Sequence, residues 1–233
     1  MISYPIRINK YLRDQNLASR READIFIEAG KVSVNGRTAK IGMMIQEGDE
    51  VVLQQKQKTY TYLAYHKPRG LATQSSTEEE SVITQWQKKG LFPIGRLDKD
   101  SEGLLILTDD RRITQKVLDA SVEKEYLVHV KEPLRKGIPA ILAKGMQTKT
   151  FGKLLPAKAK IIDRHELSVI LQEGKRHQIR VMLAELGYTV SELKRIRIGH
   201  LMLKNLLVRQ TRKLDQNEVD RFLTQQAVES SRR

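Results

Sequence analysis

The sequence predicts an α+β protein made of a small N-terminal module and a larger second domain. Two observations support this prediction. Residues 7–53 show a compact pattern of two short helices, a tight hairpin and a further strand, whereas beyond residue 60 strands and helices follow one another unevenly. Residues 158–172 have the pattern of two consecutive strands, which a doubly wound parallel sheet would separate by a helix.

The module begins with two predicted helices. Residues 7–16 place apolar side chains on one helical face. Ser19 and Glu22 have the spacing of a capping box, in which the Ser hydroxyl accepts a hydrogen bond from the backbone N–H three residues on and the Glu carboxylate bonds back. The helix that they begin is predicted to end at Gly30.

A hairpin and a strand complete the module. Asn35 and Gly36 supply the positive φ angles that a tight turn between two short strands requires. A second turn, at residues 48–49, precedes a strand predicted at residues 50–53.

A linker separates the module from the second domain. Residues 54–58 are polar and carry neither turn residues nor periodicity, so the predicted domains are residues 1–56 and 60–233. The strands predicted for the second domain are 60–66, 104–108, 124–130, 158–163, 166–172 and 189–198. Its predicted helices are 81–89, 111–119, 134–144, 175–186 and 215–225.

The charge of the chain predicts a polyanionic partner. The sequence has 42 Lys and Arg against 28 Asp and Glu, a net charge of +14, which favours nucleic acid or an anionic membrane surface. No apolar run approaches the roughly 20 residues that span a bilayer, and the N-terminus lacks a secretory signal pattern. The absence of cysteine excludes disulfides and thiolate chemistry and fits a cytoplasmic protein. The five His have no zinc-ligand spacing, so no metal is expected.

The cations of the module are candidate phosphate contacts. They lie mainly on its two predicted helices and at the hairpin, and an ordinary solvated helix face is the alternative interpretation. The RNA-binding candidates are Arg7, Lys10, Arg20, Arg21 and Arg37. Through the patterns SRREAD, V-x-V-N-G and G-D-x-V, the module resembles the small RNA-binding domain named after a ribosomal small-subunit protein, the αL domain.

An acidic cluster precedes a buried stretch in the second domain. Asp98, Asp100 and Glu102 alternate, and Gly103 and the apolar run 104–107 follow. Their spacing is close to that of a calcium-binding loop, but the segment before them, FPIG, cannot form the incoming helix. The remaining alternatives are an acidic surface turn and a single reactive carboxylate.

Four motifs follow one another in the second domain: Lys67-Pro68-Arg69-Gly70, GRLDKDSEGLLILT at residues 95–108, Lys124-Glu125-Tyr126-Leu127-Val128 and EGKRHQIR at residues 173–180. In this order they resemble the motifs of the pseudouridine synthases, especially the bacterial ribosomal-RNA family with an N-terminal αL domain. The resemblance extends from about residue 7 to about residue 215, and FPIGRLDKDS and GYTVSELKRIRI are closest to the branch that acts on large-subunit ribosomal RNA.

The resemblance implies a fold and an activity. It implies a catalytic domain built on a mixed, mainly antiparallel sheet with flanking helices. It also implies isomerisation of a specific uridine in ribosomal RNA, large-subunit RNA being favoured, without cofactor or metal. Asp98 is then the reactive carboxylate, which stabilises positive charge at the anomeric carbon, attacks it, or removes a sugar proton. These three roles stay open.

Other site residues follow from the same resemblance. Arg180 is expected to form a bidentate pair with Asp98, and Tyr126 to stack on the uracil and help move the proton. Arg96 is expected to hold a phosphate. Asp100 and Glu102 are assigned to the solvated side of the loop or to supporting positions around the reactive group.

A second RNA-contacting surface is predicted at residues 174–213. This stretch has ten Lys and Arg against two Glu, and its candidates are Lys175 and Arg176, at the start of the helix predicted at residues 175–186. Such a surface would stabilise RNA from which the target base has been flipped.

The expected partner is ribosomal RNA or a ribosome assembly intermediate, with the protein acting as a monomer and without a membrane. Whether transfer RNA is also modified stays open. The alternative function is a non-catalytic RNA-binding protein in ribosome assembly, which would have no reason to keep a buried carboxylate beside an arginine.

Overall fold

The computed structural model describes residues 3–15, 17–54, 59–75 and 80–224. Most of the predicted linker, residues 55–58, lies outside this part of the chain. The chain divides into two compact units, residues 1–59 and 60–233. None of the helices in the described part of the chain combines the length and apolar composition that a membrane crossing requires.

The first unit follows the predicted pattern. Its elements are β1 (Ile6–Arg7), α1 (Ile8–Asp14), α2 (Arg20–Glu28), β2 (Val32–Val34), β3 (Arg37–Thr38), β4 (Met44–Ile45) and β5 (Val51–Leu53). The capping box is confirmed, because Ser19 Oγ accepts from Glu22 N and the Glu22 carboxylate accepts from Ser19 N. The hairpin turn is confirmed as well, with φ of 48° at Asn35 and 78° at Gly36.

The second unit contains more strands than the sequence predicts. Its strands are β6 (Tyr62–Lys67), β7 (Phe92–Ile94), β8 (Glu102–Thr108), β9 (Lys124–Val130), β10 (Gln147–Thr148), β11 (Gly152–Lys153), β12 (Lys158–Ile161), β13 (Glu166–Leu171), β14 (Val190–Ile198), β15 (Leu201–Met202) and β16 (Thr211–Lys213). Its helices are α3 (Val82–Gln87), α4 (Arg112–Leu118), α5 (Ile138–Ala143), α6 (Gln178–Glu185) and α7 (Gln216–Thr224).

The sheet of this unit is mixed and mainly antiparallel. In the described part of the domain nine strands form it, in the order β12-β13-β9-β14-β8-β6-β16, with β15 beside β14 and β7 beside β8. Only the β14–β8 pair is parallel. The α+β class and the mixed sheet are therefore confirmed.

Strand β8 is buried on both faces, which explains its continuous apolar run. Leu104 and Ile106 pack in the cluster that includes residues of α4 and α7. Leu105 and Leu107 pack in the cluster that includes residues of α3. A strand covered on both faces has no solvent side, so it shows no polar alternation. Because β8 begins at residue 102, the acidic cluster lies at the N-terminal end of this strand.

Helix α6 begins later than predicted. The sequence predicts a helix from residue 175, but α6 begins at Gln178, because His177 has a left-handed backbone with φ of 57°. Arg176 is therefore in the loop before the helix and not on it. Among the described residues, seven strands are not predicted from the sequence: β1 and β4 of the first unit and β7, β10, β11, β15 and β16 of the second. They have two or three residues each, too few to show a period.

Candidate active site

The register of three strands brings the acidic loop beside Tyr126. Gly103 of β8 pairs with Arg195 of β14, and Arg195 pairs with Tyr126 of β9. The start of β8 and the middle of β9 therefore lie at the same level of the sheet. The loop of residues 95–101, here called the acidic loop, enters this level, and its turn is closed by a 3.1 Å hydrogen bond from Ser101 N to the Asp98 carbonyl.

Gly103 makes the close approach of β8 to β14 feasible. Its φ is 118°, and a Cβ at this position would lie 2.3 Å from the Arg195 carbonyl oxygen and 2.6 Å from the Arg195 nitrogen. No residue with a side chain fits there without moving the backbone. Gly103, which follows the acidic cluster, therefore permits the pairing of β8 with β14 that positions Asp98.

A cavity of about 200 Å³ lies between this loop, β9 and the start of α6. Asp98 and Tyr126 both line it, and four basic side chains surround them. These are Arg96, Lys175, Arg176 and His177. The structure thus brings most of the predicted catalytic-domain site residues to one cavity, with Asp98 and Tyr126 half-buried.

The predicted ion pair between Asp98 and Arg180 is wrong. The Arg180 guanidinium donates to the carbonyl oxygens of Asp100, at 2.9 Å, and Val190, at 3.1 Å. Asp98 Oδ2 instead lies 3.1 Å from His177 Nδ1. The cause is the late start of α6: His177 turns its ring toward Asp98, and Arg180 reaches the backbone of the loop and of β14.

Two buried cations lie beneath the acidic loop, and sequence reasoning missed both. Lys67 has no exposed surface, and its Nζ donates to the carbonyl oxygens of Pro68 and Leu71 at 2.8 and 2.6 Å. Arg195 is 5% exposed and donates to the carbonyl oxygen of Leu104. For Lys67 the sequence signal is its position in a strand whose other residues are largely apolar, whereas the strand of Arg195 has a mixed composition and gives no such signal.

Burial lowers the pKa of Lys67 to about 8, and the carboxylate of Asp98 opposes this lowering. The carboxylates of Asp100 and Glu102 act in the same direction as Asp98, whereas the guanidinium of Arg195 lowers the pKa further. A carboxylate near a buried cation reduces the cost of burying it. The carboxylates of the acidic cluster therefore stabilise the positive charge of the buried Lys67. One of them, Asp98, is also the candidate reactive group.

The three carboxylates of the cluster have different surroundings. Asp100 is exposed, as predicted. Glu102 lies 3.3 Å from Lys194 Nζ and 3.7 Å from His66 Nε2, so it is paired and only partly solvated. Within the residues that the structure describes, no group of three or more His, Asp or Glu side chains is arranged to hold a metal ion.

The basic stretch 174–213 is only partly an outer surface. Arg195 is buried, Arg197 donates to the carboxylates of Glu123 and Glu125, and Arg212 pairs with Glu218. Burial excludes Arg195 from the predicted second RNA-contacting surface, and Arg197 and Arg212 have carboxylate partners within the domain. Charge counting in the sequence does not distinguish such cations from free surface cations. Lys175 and Arg176 line the cavity.

The candidate contacts of the first unit are accessible. All five side chains are exposed: Arg7, Lys10, Arg20, Arg21 and Arg37.

Comparison with known proteins agrees with the fold. The family model for RNA pseudouridylate synthases matches residues 61–185, and the S4 domain model matches residues 6–51. The dual-specificity RNA pseudouridine synthase RluF of Escherichia coli (strain K12) is 33% identical over 227 residues, which cover 92% of this chain and 77% of that protein. The ribosomal large subunit pseudouridine synthase B of Bacillus subtilis (strain 168) is 32% identical over 232 residues, covering 93% and 95%.

A solved structure of a pseudouridylate synthase has a TM-score of 0.67 and 28% identity, and the match covers 93% of this chain and 99% of the other. The predicted resemblance of both domains is thus confirmed. The chain belongs to the RNA pseudouridylate synthase family and carries an S4 domain before its catalytic domain, so it is an enzyme that isomerises uridine in RNA.

Proposed function

We propose that this enzyme converts a specific uridine of ribosomal RNA, with large-subunit RNA favoured, to pseudouridine, and that Asp98 is its reactive carboxylate. The observation that carries the proposal is the cavity shared by Asp98 and Tyr126 and surrounded by cations. The relatives named above support the RNA class, since one is named for the large ribosomal subunit. The enzyme acts as a cytoplasmic monomer, with residues 1–56 and 60–233 as its two domains, on ribosomal RNA or an assembly intermediate.

The reaction needs no external reactant. The bond between N1 of uracil and C1′ of ribose breaks, the base turns, and a bond forms between C5 and C1′. C5 loses a proton and N1 gains one, so atoms and electrons balance. Asp98 stabilises positive charge at C1′, attacks C1′ as a nucleophile, or removes a proton from the ribose. Tyr126 offers a ring face for the uracil and a hydroxyl near the proton that leaves C5.

Cations around the cavity account for binding of the flipped nucleotide. Arg96, Lys175 and Arg176 line the cavity and suit phosphate oxygens. A base must leave its stack to enter a cavity of this size, and contacts to the displaced backbone offset the cost of unstacking.

Mapping pseudouridine in ribosomal RNA from cells with and without the gene tests the substrate. Loss of pseudouridine at one position of the large-subunit RNA is expected, with the modification restored by the wild-type gene and not by Asp98→Asn. Identical maps in both cells would contradict a ribosomal RNA substrate.

Arg180→Met should slow the chemical step by about 10²-fold. Arg180 fastens the loop of Asp98 through the Asp100 carbonyl, and a displacement of about 1 Å in a reacting group can cost that factor. Single-turnover rates at saturating RNA provide the measurement, because saturation hides binding defects. Arg164→Met, on the exposed turn between β12 and β13, is the control. Recovery of the Arg180→Met rate at saturation would assign Arg180 to RNA binding.

The double variant Arg20→Gln, Arg21→Gln should flatten the salt dependence of RNA binding. Each phosphate contact contributes about 0.7–0.9 to the log–log slope, so the loss of two should lower it by about 1.4–1.8. The measurement is RNA affinity across a series of salt concentrations. Lys136→Gln with Lys144→Gln removes the same charge from exposed positions of the second unit. Equal slopes for the two double variants would show that the module does not contact phosphate through these arginines.

A further inference from the structure

His177 has an unusual backbone for a residue with a side chain. Its φ of 57° is in the left-handed region, immediately before α6. This region is unfavourable for residues with a Cβ, and such conformations concentrate at functional sites, where the surrounding structure holds them. Here the conformation places the imidazole at the cavity, against Asp98.

The contacts of the two ring nitrogens define the tautomer. Nε2 lies 3.2 Å from Arg176 Nε, and a guanidinium N–H can only donate, so Nε2 accepts. The ring proton is then on Nδ1, which lies 3.1 Å from Asp98 Oδ2 and donates to it. Arg176, His177 and Asp98 thus form a chain of hydrogen bonds that runs from the guanidinium through the imidazole to the carboxylate.

We propose that His177 is the positioning residue for the reactive carboxylate, an inference that rests on the proposed function of Asp98. A bidentate arginine would engage both oxygens of the carboxylate. A single imidazole N–H engages Oδ2 and leaves Oδ1 to react with the substrate. It fixes the side chain of Asp98 in one orientation through one of its two oxygens.

Two substitutions separate the hydrogen bond from the backbone conformation. Glycine and asparagine both tolerate left-handed φ, so His177→Gly and His177→Asn should keep the local fold. Only asparagine carries an amide N–H close to where Nδ1 lies. His177→Gly should lower the single-turnover rate at saturating RNA by about 10²-fold, as a misplaced reacting group does, and His177→Asn should recover most of that loss.

Tritium release from RNA labelled at C5 of uridine measures these rates, and RNA affinity and melting temperature are measured alongside. Equal rates for His177→Gly and the wild type would overturn the proposal. Equally slow Gly and Asn variants would also overturn it, because the hydrogen bond would then not be what the imidazole supplies.

A second readout is independent of turnover. Nitrogen-15 NMR of the full-length protein should show the His177 ring protonated at Nδ1 and unprotonated at Nε2, with the signal assigned by its loss in His177→Asn. A ring protonated at Nε2 alone would overturn the hydrogen bond to Asp98. Absence of tritium release from the wild type would overturn the proposed function, whereas the NMR result would still decide whether His177 holds Asp98.

Discussion

Asp98→Asn should abolish isomerisation while leaving the fold and the RNA affinity intact. The substitution keeps the size of the side chain and leaves an oxygen that can accept from His177 Nδ1, so it removes only the negative charge. Loss of a group that reacts directly with substrate typically costs on the order of 10⁴-fold or more in rate. Tritium release from RNA labelled at C5 of uridine should fall to the background of the assay.

Asp100→Asn is the matched control for this variant. Asp100 is on the same loop, carries the same charge and is exposed, and Arg180 contacts its backbone carbonyl and not its side chain. Asp100→Asn should therefore keep most of the activity. Turnover by Asp98→Asn at a rate similar to that of Asp100→Asn would remove Asp98 from the chemistry.

Gly103→Ala should destabilise the catalytic domain strongly. Backbone strain costs about 1–3 kcal/mol at a disfavoured φ, and overpacking costs about another 1–3 kcal/mol. A Cβ 2.3 Å from the Arg195 carbonyl oxygen meets backbone, which cannot turn away as a side chain can. The expected loss of about 2–6 kcal/mol is a large part of the roughly 5–15 kcal/mol that stabilises a typical domain.

Urea denaturation followed by tryptophan fluorescence measures this loss. Trp86 is the single tryptophan of the chain and packs against Tyr65 with ring centroids 5.7 Å apart, so its emission reports on the catalytic domain. Gly187→Ala is the control: its φ is 85°, but no atom lies within 4 Å of the added Cβ. Gly187→Ala should lose only the free energy of unfolding that the left-handed backbone costs, because its Cβ contacts no other atom. Equal losses for the two variants would mean that the contact between β8 and β14 does not limit residue 103.

Local patterns in the sequence correctly predicted local structure. Ser19 and Glu22 predicted a helix start because the capping box involves only groups within one turn. Asn35 and Gly36 predicted the hairpin because their own φ preferences define it. The consecutive strands at residues 158–172 predicted the α+β class because strands with no helix between them pair antiparallel, as β12 and β13 do.

The sequence alone therefore determined the division into two domains, the longer helices and strands, and the net positive charge that indicates RNA binding. Through its four motifs it also determined the family. The sequence did not determine which side chains contact Asp98. The partner of Asp98 is His177 and not Arg180, since a left-handed residue delays the start of α6. Lys67 and Arg195 are buried beneath the acidic loop, although counting charges in the sequence did not distinguish them from exposed cations. The hydrogen bond from Arg195 to Leu104 joins residues 91 positions apart. The geometry of such contacts depends on sheet register and on where helices begin, which only packing of the whole domain determines.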